Sequence, residues 1–281
     1  MHAPGENKLA RLYLKYMILI WRNHLVMKHG YTFFMKTYRT IFLSDVHLGT
    51  RFSRTTALLE FLRNHESERL YLVGDIVDGW AIRRRLHWPQ SHSDVIQKIL
   101  RKSRKGTEVY FILGNHDEFL RSFTPLVLGE RMHVVKDAIF EGKNNRRYYV
   151  THGDFFDSIT LTKKWVAHLG DKGYEMLLHV NQALNFIRRK CGLRTYWSLS
   201  KYVKQNVKKS ISFITDFEHI LADHAKRYGF DGVICGHIHH AEMRQIEGIE
   251  YLNCGDWVES CTALVEHTDG RWEVLDFSAY Q

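Results

Sequence analysis

The chain is short of cysteine and of proline, with four and three in 281 residues, and each shortage excludes something. Cys191, Cys235, Cys254 and Cys261 form no C-x-x-C pair and are too sparse for a disulfide scaffold, so reduced, mostly buried thiols in a cytosolic protein are expected. Three prolines, with no Ser/Gly-rich linker, internal repeat or low-complexity tract, argue against a string of small modules. Long apolar runs are also missing. Met17–Trp21 is five residues long, far below the ~20 that span a bilayer, and no cleavable signal peptide is read. Acidic residues are outnumbered, 31 against 40 Lys and Arg, and the net charge of +9 favours phosphorylated or anionic partners without choosing among them.

Part of that charge sits in residues 1–34, where Lys8, Arg11, Lys15, Arg22 and Lys28 face Glu6 alone. Met35 then opens MKTYRTIFLSD, which reads as a natural beginning running straight into a strand. Residues 1–34 are therefore expected to be a start-site artefact, the alternative being a basic N-terminal extension that touches anionic surfaces. Residues 35–281 are expected to form one catalytic domain with insertions.

From Arg39 to Leu113 the pattern alternates strand and helix. Arg39–Leu43, Leu70–Val73 and Val109–Leu113 read as strands, and Thr55–Asn64 and Ser93–Arg104 as helices. A βαβαβ order predicts a parallel sheet whose strand ends share the edge where open α/β sheets bind ligands. Those three exits read Ser44-Asp45-Val46-His47, Gly74-Asp75-Ile76-Val77-Asp78 and Gly114-Asn115-His116-Asp117. Side chains two apart on an extended segment face the same way, so Asp45 and His47 are expected to converge. Two further strands, Arg147–Val150 and Gly232–Ile234, end in Thr151-His152-Gly153-Asp154 and Gly236-His237-Ile238-His239-His240, repeating the spacing of two. Any one of these matches is an ordinary polar turn. Five at equivalent places in the topology point to a site.

The ordered series SDVHLG, GDIVDGW, GNHDEF, THGDFF and GHIHH resembles the calcineurin-like metallophosphoesterase superfamily. The resemblance implies an α/β fold, a four-layer α/β/β/α sandwich, with two divalent metal ions. It assigns Asp45, His47, Asp75 and His239 to one ion, with Asp75 bridging to a second held by Asn115, His152 and His237. Imidazole and oxygen donors without thiolate suit Mn²⁺, with Fe or Zn²⁺ as alternatives. A bridging carboxylate can hold two ions ~3.5–4 Å apart, the spacing used in phosphoryl hydrolysis. His116, not itself a ligand, is then the expected proton donor to the leaving oxygen, with Asp117 orienting it. Asp78, Asp154 and Asn253 are expected supports behind these residues.

Residues 158–228 are too long for a connection and show helical spacing through Leu177–Ile187 and Tyr202–Ala222. Within them the stretch 186–209 has eight basic residues, no acid and interleaved aromatic groups. It is expected to form a helical lid, with Arg188, Arg189, Arg194, Trp197, Lys201 and Lys204 meeting an anionic, partly apolar substrate or membrane surface. Such an insertion is similar to that of the UDP-2,3-diacylglucosamine pyrophosphatases of lipid A synthesis. That resemblance implies hydrolysis of the pyrophosphate of an acylated sugar nucleotide to UMP and the acylated sugar 1-phosphate. It also implies a bacterial, cytoplasmic enzyme peripheral to the inner membrane, with no nucleic-acid partner. Two stretches depart from that branch. Asn115-His116-Asp117 stands where its best-known members read Asn-Arg-Asp, and Phe155-Phe156-Asp157-Ser158 where they carry a Leu-Cys-Thr-Asp-Asp type sequence. A paralogue acting on another phosphodiester or pyrophosphate, and a non-catalytic metal-binding scaffold, are the alternative expectations.

Overall fold

A computed structural model describes residues 35–157 and 208–279, with Gln182, Asn185, Phe186, Arg188 and Lys190 between them. Three strands begin the fold: β1 (Lys36–Leu43), β2 (His65–Val73) and β3 (Glu108–Ile112). Helices α1 (Thr55–Asn64), α2 (Gly79–Arg84) and α3 (Gln90–Arg104) connect them, α3 starting directly after Pro89. β2 begins well before its apolar run, because the polar half HESER still alternates buried and open positions. With β4 (Leu126–Leu128), β5 (Met132–Val135), β11 (Thr262–Glu266) and β12 (Trp272–Asp276), these strands make a seven-stranded sheet in the order β12-β11-β1-β2-β3-β5-β4. β2 runs parallel to β3, as expected, β5 continues the parallel run beside β3, and β1 pairs antiparallel with β11 on its other side.

A second sheet has five strands, β6 (Ala138–Glu141), β7 (Arg147–Val150), β8 (Gly232–Cys235), β9 (Glu242–Ile246) and β10 (Ile249–Asn253), in the order β6-β7-β8-β10-β9. The period of two along the strands builds the layers. On β1, Ile41 and Leu43 join a cluster with the α1 and α3 residues Leu58, Phe61, Val95 and Ile99, while Phe42 between them faces the other sheet. Phe42, Tyr71 and Ile112 meet Tyr148, Val150, Ile234 and Leu252 in the middle layer. Val233, Cys235 and Tyr251 turn outward onto α4 (Lys208–Arg227) through Phe217, Leu221, Ala222 and Ala225, one face of that helix. The molecule is the expected four-layer sandwich.

One boundary differs from the sequence reading. The insertion expected over 158–228 includes α4, yet α4 is the outer layer of the sandwich, because its apolar stripe covers the second sheet. Among the described residues no helix is long and apolar enough to cross a membrane.

Candidate metal centre

The five motifs gather where the strands end, but not by the extended geometry expected of them. Asp45 (φ 53°), His47 (51°), Asp75 (54°), His237 (71°) and His239 (53°) all adopt the left-handed conformation. The spacing of two works because the chain kinks at Asp45, His47, His237 and His239, which corrects the expected alternation. Among the described residues only three other non-glycine positions share this conformation, so backbone strain of about 1–3 kcal/mol per residue is concentrated here. Hydrogen bonds hold the kinks in place. Asp45 N–H donates to Gly74 O (3.0 Å), His47 N–H to Asp75 O (2.9 Å) and Gly236 N–H to His152 O (3.2 Å). Gly74 has φ +78°, and a Cβ on it would lie 2.2 Å from His152 Nδ1; a Cβ on Gly114 would lie 2.2 Å from Asp75 Oδ1. These two glycines let the strand exits close on the site.

Asp75 is central. Its Oδ2 lies 3.2 Å from His152 Nε2, 3.8 Å from His47 Nε2 and 3.8 Å from His116 Nε2, while its Oδ1 accepts the His116 backbone N–H at 2.9 Å. Asp45 Oδ1 lies 3.1 Å from His239 Nε2 and 3.9 Å from His47 Nε2. Asp45, His47 and His239 form one group of close donors, and Asp75, His152 and His237 another. Asp45 Oδ1, His47 Nε2, Asn115 Oδ1 and His152 Nε2 are all buried without a hydrogen-bond partner. Buried polar atoms are nearly always paired, so four inward-facing ones mark a place for a cation. The opposite ring nitrogens are engaged, His152 Nδ1 with Val73 O (3.0 Å) and His47 Nδ1 with Asp78 Oδ2 (3.2 Å). That leaves each Nε2 lone pair for a metal. The oxygen and imidazole donors fit divalent cations.

Electrostatics agree with this. Burial disfavours the Asp45 carboxylate, yet His239 and His152 outweigh it and hold the group down at about 2. Asp75 is likewise held well below the usual range by His152, His47 and His116 against its burial. Both carboxylates stay ionised.

His116 is brought to the same place, but its partner is not the expected one. Its Nδ1 lies 3.0 Å from Asp78 Oδ2, an ion-pair contact without hydrogen-bond alignment. Burial works against a charged His116, but Asp78 and Asp75 prevail and raise its pKa. Asp117 turns instead into the backbone, where its carboxylate accepts N–H groups from Val77 (2.8 Å), Ile76 (3.2 Å) and Gly114 (3.3 Å). It ties the second and third motifs together, and the carboxylate in contact with the His116 ring is that of Asp78. Burial and the nearby Asp75 push Asp117 up to about 7 against those three amides.

The remaining supports divide. Asn253 Nδ2 donates to Gly236 O (2.9 Å) and to Tyr251 Oη (3.0 Å), bracing the fifth motif from behind. Asp154 pairs with Arg121. Four contributors were invisible to motif reading. Asp157 Oδ2 meets His237 Nε2 at 2.7 Å; Trp80 packs on His116 with ring centroids 4.2 Å apart; Glu118 Oε1 accepts the Trp80 indole N–H at 3.0 Å; and His92 Nδ1 accepts Gly49 N–H at 2.9 Å. GDIVDGW and GNHDEF already contain Trp80 and Glu118, but no spacing rule brings them together. Of the expected lid residues, Arg188 is helical and half-buried, and Arg189, Arg194, Trp197, Lys201 and Lys204 lie outside the described residues.

The profile of the calcineurin-like phosphoesterases matches residues 38–241. A UDP-2,3-diacylglucosamine hydrolase of Porphyromonas gingivalis is 31% identical over 121 residues, 40% of this chain and 45% of its own length. Proteins of the same name from Haemophilus influenzae (strain PittGG) and Neisseria gonorrhoeae are 24% identical over 251 residues and 25% identical over 246. Those two matches cover 85% and 83% of this chain and 95% of each relative.

Proposed function

The chain belongs to the calcineurin-like phosphoesterase family, and on that premise we propose that it hydrolyses the pyrophosphate of UDP-2,3-diacylglucosamine, or of a similar lipid-linked sugar nucleotide, to UMP and acylated sugar 1-phosphate. The observation that carries this reading is the set of close donor groups, Asp45 with His47 and His239, Asp75 with His152 and His237, and His116 with Asp75 and His47, together with four buried polar atoms that lack a hydrogen-bond partner.

Asp45, His47, Asp75 and His239 would hold one divalent ion, and Asp75, Asn115, His152 and His237 the other, with Mn²⁺ the preferred metal. The ions supply Lewis acidity and positive charge to the phosphoryl group. Asp78 and Asp75 keep a proton on His116, which gives it to the leaving oxygen. Beside His116, Trp80 and Phe119 offer partly exposed apolar surface. That combination suits a phosphorylated substrate with acyl chains. The composition of the stretch 186–209, basic with interleaved aromatic residues and including Arg188, Arg189, Arg194, Trp197, Lys201 and Lys204, supports contact with such acyl chains and with an anionic inner-membrane surface.

A second reading has its own support. His116 occupies the place of the arginine in the Asn-Arg-Asp motif of the best-known members of that branch, which favours a paralogue acting on another phosphodiester or nucleotide pyrophosphate. One comparison separates the two. The protein is purified with Mn²⁺ and its turnover measured on UDP-2,3-diacylglucosamine, on other nucleoside diphosphate compounds and on a chromogenic phosphodiester. The proposal expects the acylated sugar nucleotide to have the highest kcat/KM. Turnover of the others alone establishes the paralogue, and inactivity with metal bound leaves a scaffold.

A further inference from the structure

Three histidines of the centre are held by a second contact, and one of them is held the other way round. His47 and His152 are engaged through Nδ1, and their buried Nε2 atoms face the Asp75 carboxylate without an aligned hydrogen bond. His237 is engaged through Nε2, 2.7 Å from Asp157 Oδ2. An ionised carboxylate only accepts, so Nε2 carries the hydrogen and the one remaining lone pair of a neutral ring is on Nδ1.

We infer that Asp157 is the positioning residue of His237, fixing the Nε2–H tautomer so that Nδ1 is the nitrogen presented to the ion. The inference rests on the reading of His237 as a ligand. Asp157 is well placed for the task. It follows the short turn Asp154–Phe156, which is pinned on one side by the Arg121–Asp154 pair and on the other by Phe156, buried against the Phe217 and Leu221 face of α4. His237 is tied in turn to the other half of the centre, since its backbone N–H donates to Asp45 Oδ2 at 2.9 Å. The imidazole therefore spans two anchored elements, and its ring orientation is set by Asp157. The departure of residues 155–158 from the related pyrophosphatases gains a purpose here. In this chain the fourth motif supplies the carboxylate that aims a histidine of the fifth.

Metal-stripped protein titrated calorimetrically with Mn²⁺ tests this, with Asp157→Ala, Asp157→Asn and His237→Ala compared. His237→Ala is expected to lose one of two ions. Asp157→Ala should keep both, one of them bound 10–100-fold more weakly, the usual cost of removing such a support. Asp157→Asn keeps an acceptor oxygen and should recover most of the affinity. In metal-free protein, long-range ¹H–¹⁵N spectra should show His237 as the Nε2–H tautomer, and a mixture in Asp157→Ala. Wild-type affinity for both ions in Asp157→Ala overturns the inference. So does an Asp157→Asn variant as weak as Asp157→Ala, because the carboxylate then ligates directly. If His237→Ala binds two ions normally, it is the ligand reading of His237 that fails.

Discussion

Acidification should weaken this fold through His92, a residue remote from the metal ligands in sequence. The imidazole is buried on α3, and its Nδ1 accepts the N–H of Gly49, in the loop that carries Asp45 and His47. Burial, and after it the neighbouring His87, lower its pKa from 6.5 to about 4. The unfolded chain therefore binds a proton at a pH where the folded one does not. This contribution is fully present above 6.5 and is lost as the pH falls toward 4. At about pH 4.5 the two values correspond to roughly 2.5 kcal/mol, an appreciable part of the ~5–15 kcal/mol of a typical domain. Protonation also removes the acceptor that fixes Gly49. The test is urea unfolding at about pH 7.5 and 4.5, with chelator, for wild type and His92→Asn, whose amide oxygen replaces Nδ1 as acceptor without titrating. The stability difference between the two proteins should shift by about 2 kcal/mol toward the variant at the lower pH. An unchanged difference would refute the reasoning, since other acid-sensitive groups contribute equally to both proteins.

Three further outcomes follow from the site. Gly74→Ala, whose Cβ would lie 2.2 Å from His152 Nδ1, should lower kcat/KM at least ~100-fold with weakened Mn²⁺ binding; an active variant with normal affinity contradicts the packing. Asp117→Asn offers one acceptor oxygen where the carboxylate offers two, and should lower stability by about 1–3 kcal/mol while leaving the ratio of rates on good and poor leaving groups unchanged. A changed ratio would return Asp117 to proton transfer. His116→Ala should retain both ions and lose rate most on poor leaving groups, with Glu118→Ala, which frees the Trp80 ring, reproducing a several-fold part of that loss and Glu118→Gln restoring it. Loss of an ion in His116→Ala makes it a ligand instead.

How much of this was legible in the sequence depended on whether a residue acts from a strand exit. The continuous apolar runs around Phe42, Tyr71 and Ile234 announce strands with two buried faces, while the four-layer sandwich followed from the resemblance carried by the five motifs. Asp45, Asp75 and His152 were found because each follows such a run directly. Their left-handed backbone was not legible, since nothing in D-x-H distinguishes a kink from an extended pair. Proximity in sequence misled at Asp117, which adjoins His116 yet is drawn into three backbone amides, while Asp78 reaches both His47 and His116 from the preceding motif. Asp157, Trp80 and His92 act through contacts that close only when separate elements pack. The helix α4 was read as part of an insertion because its basic start hid an apolar face that completes the sandwich.

The most direct measurement titrates metal-stripped protein with Mn²⁺ while following release of UMP from UDP-2,3-diacylglucosamine. Hydrolysis should be absent without metal and rise to a plateau at two ions per chain, with Asp75→Asn inactive throughout. Release of UMP in the presence of chelator, or none at saturating Mn²⁺, would contradict the account.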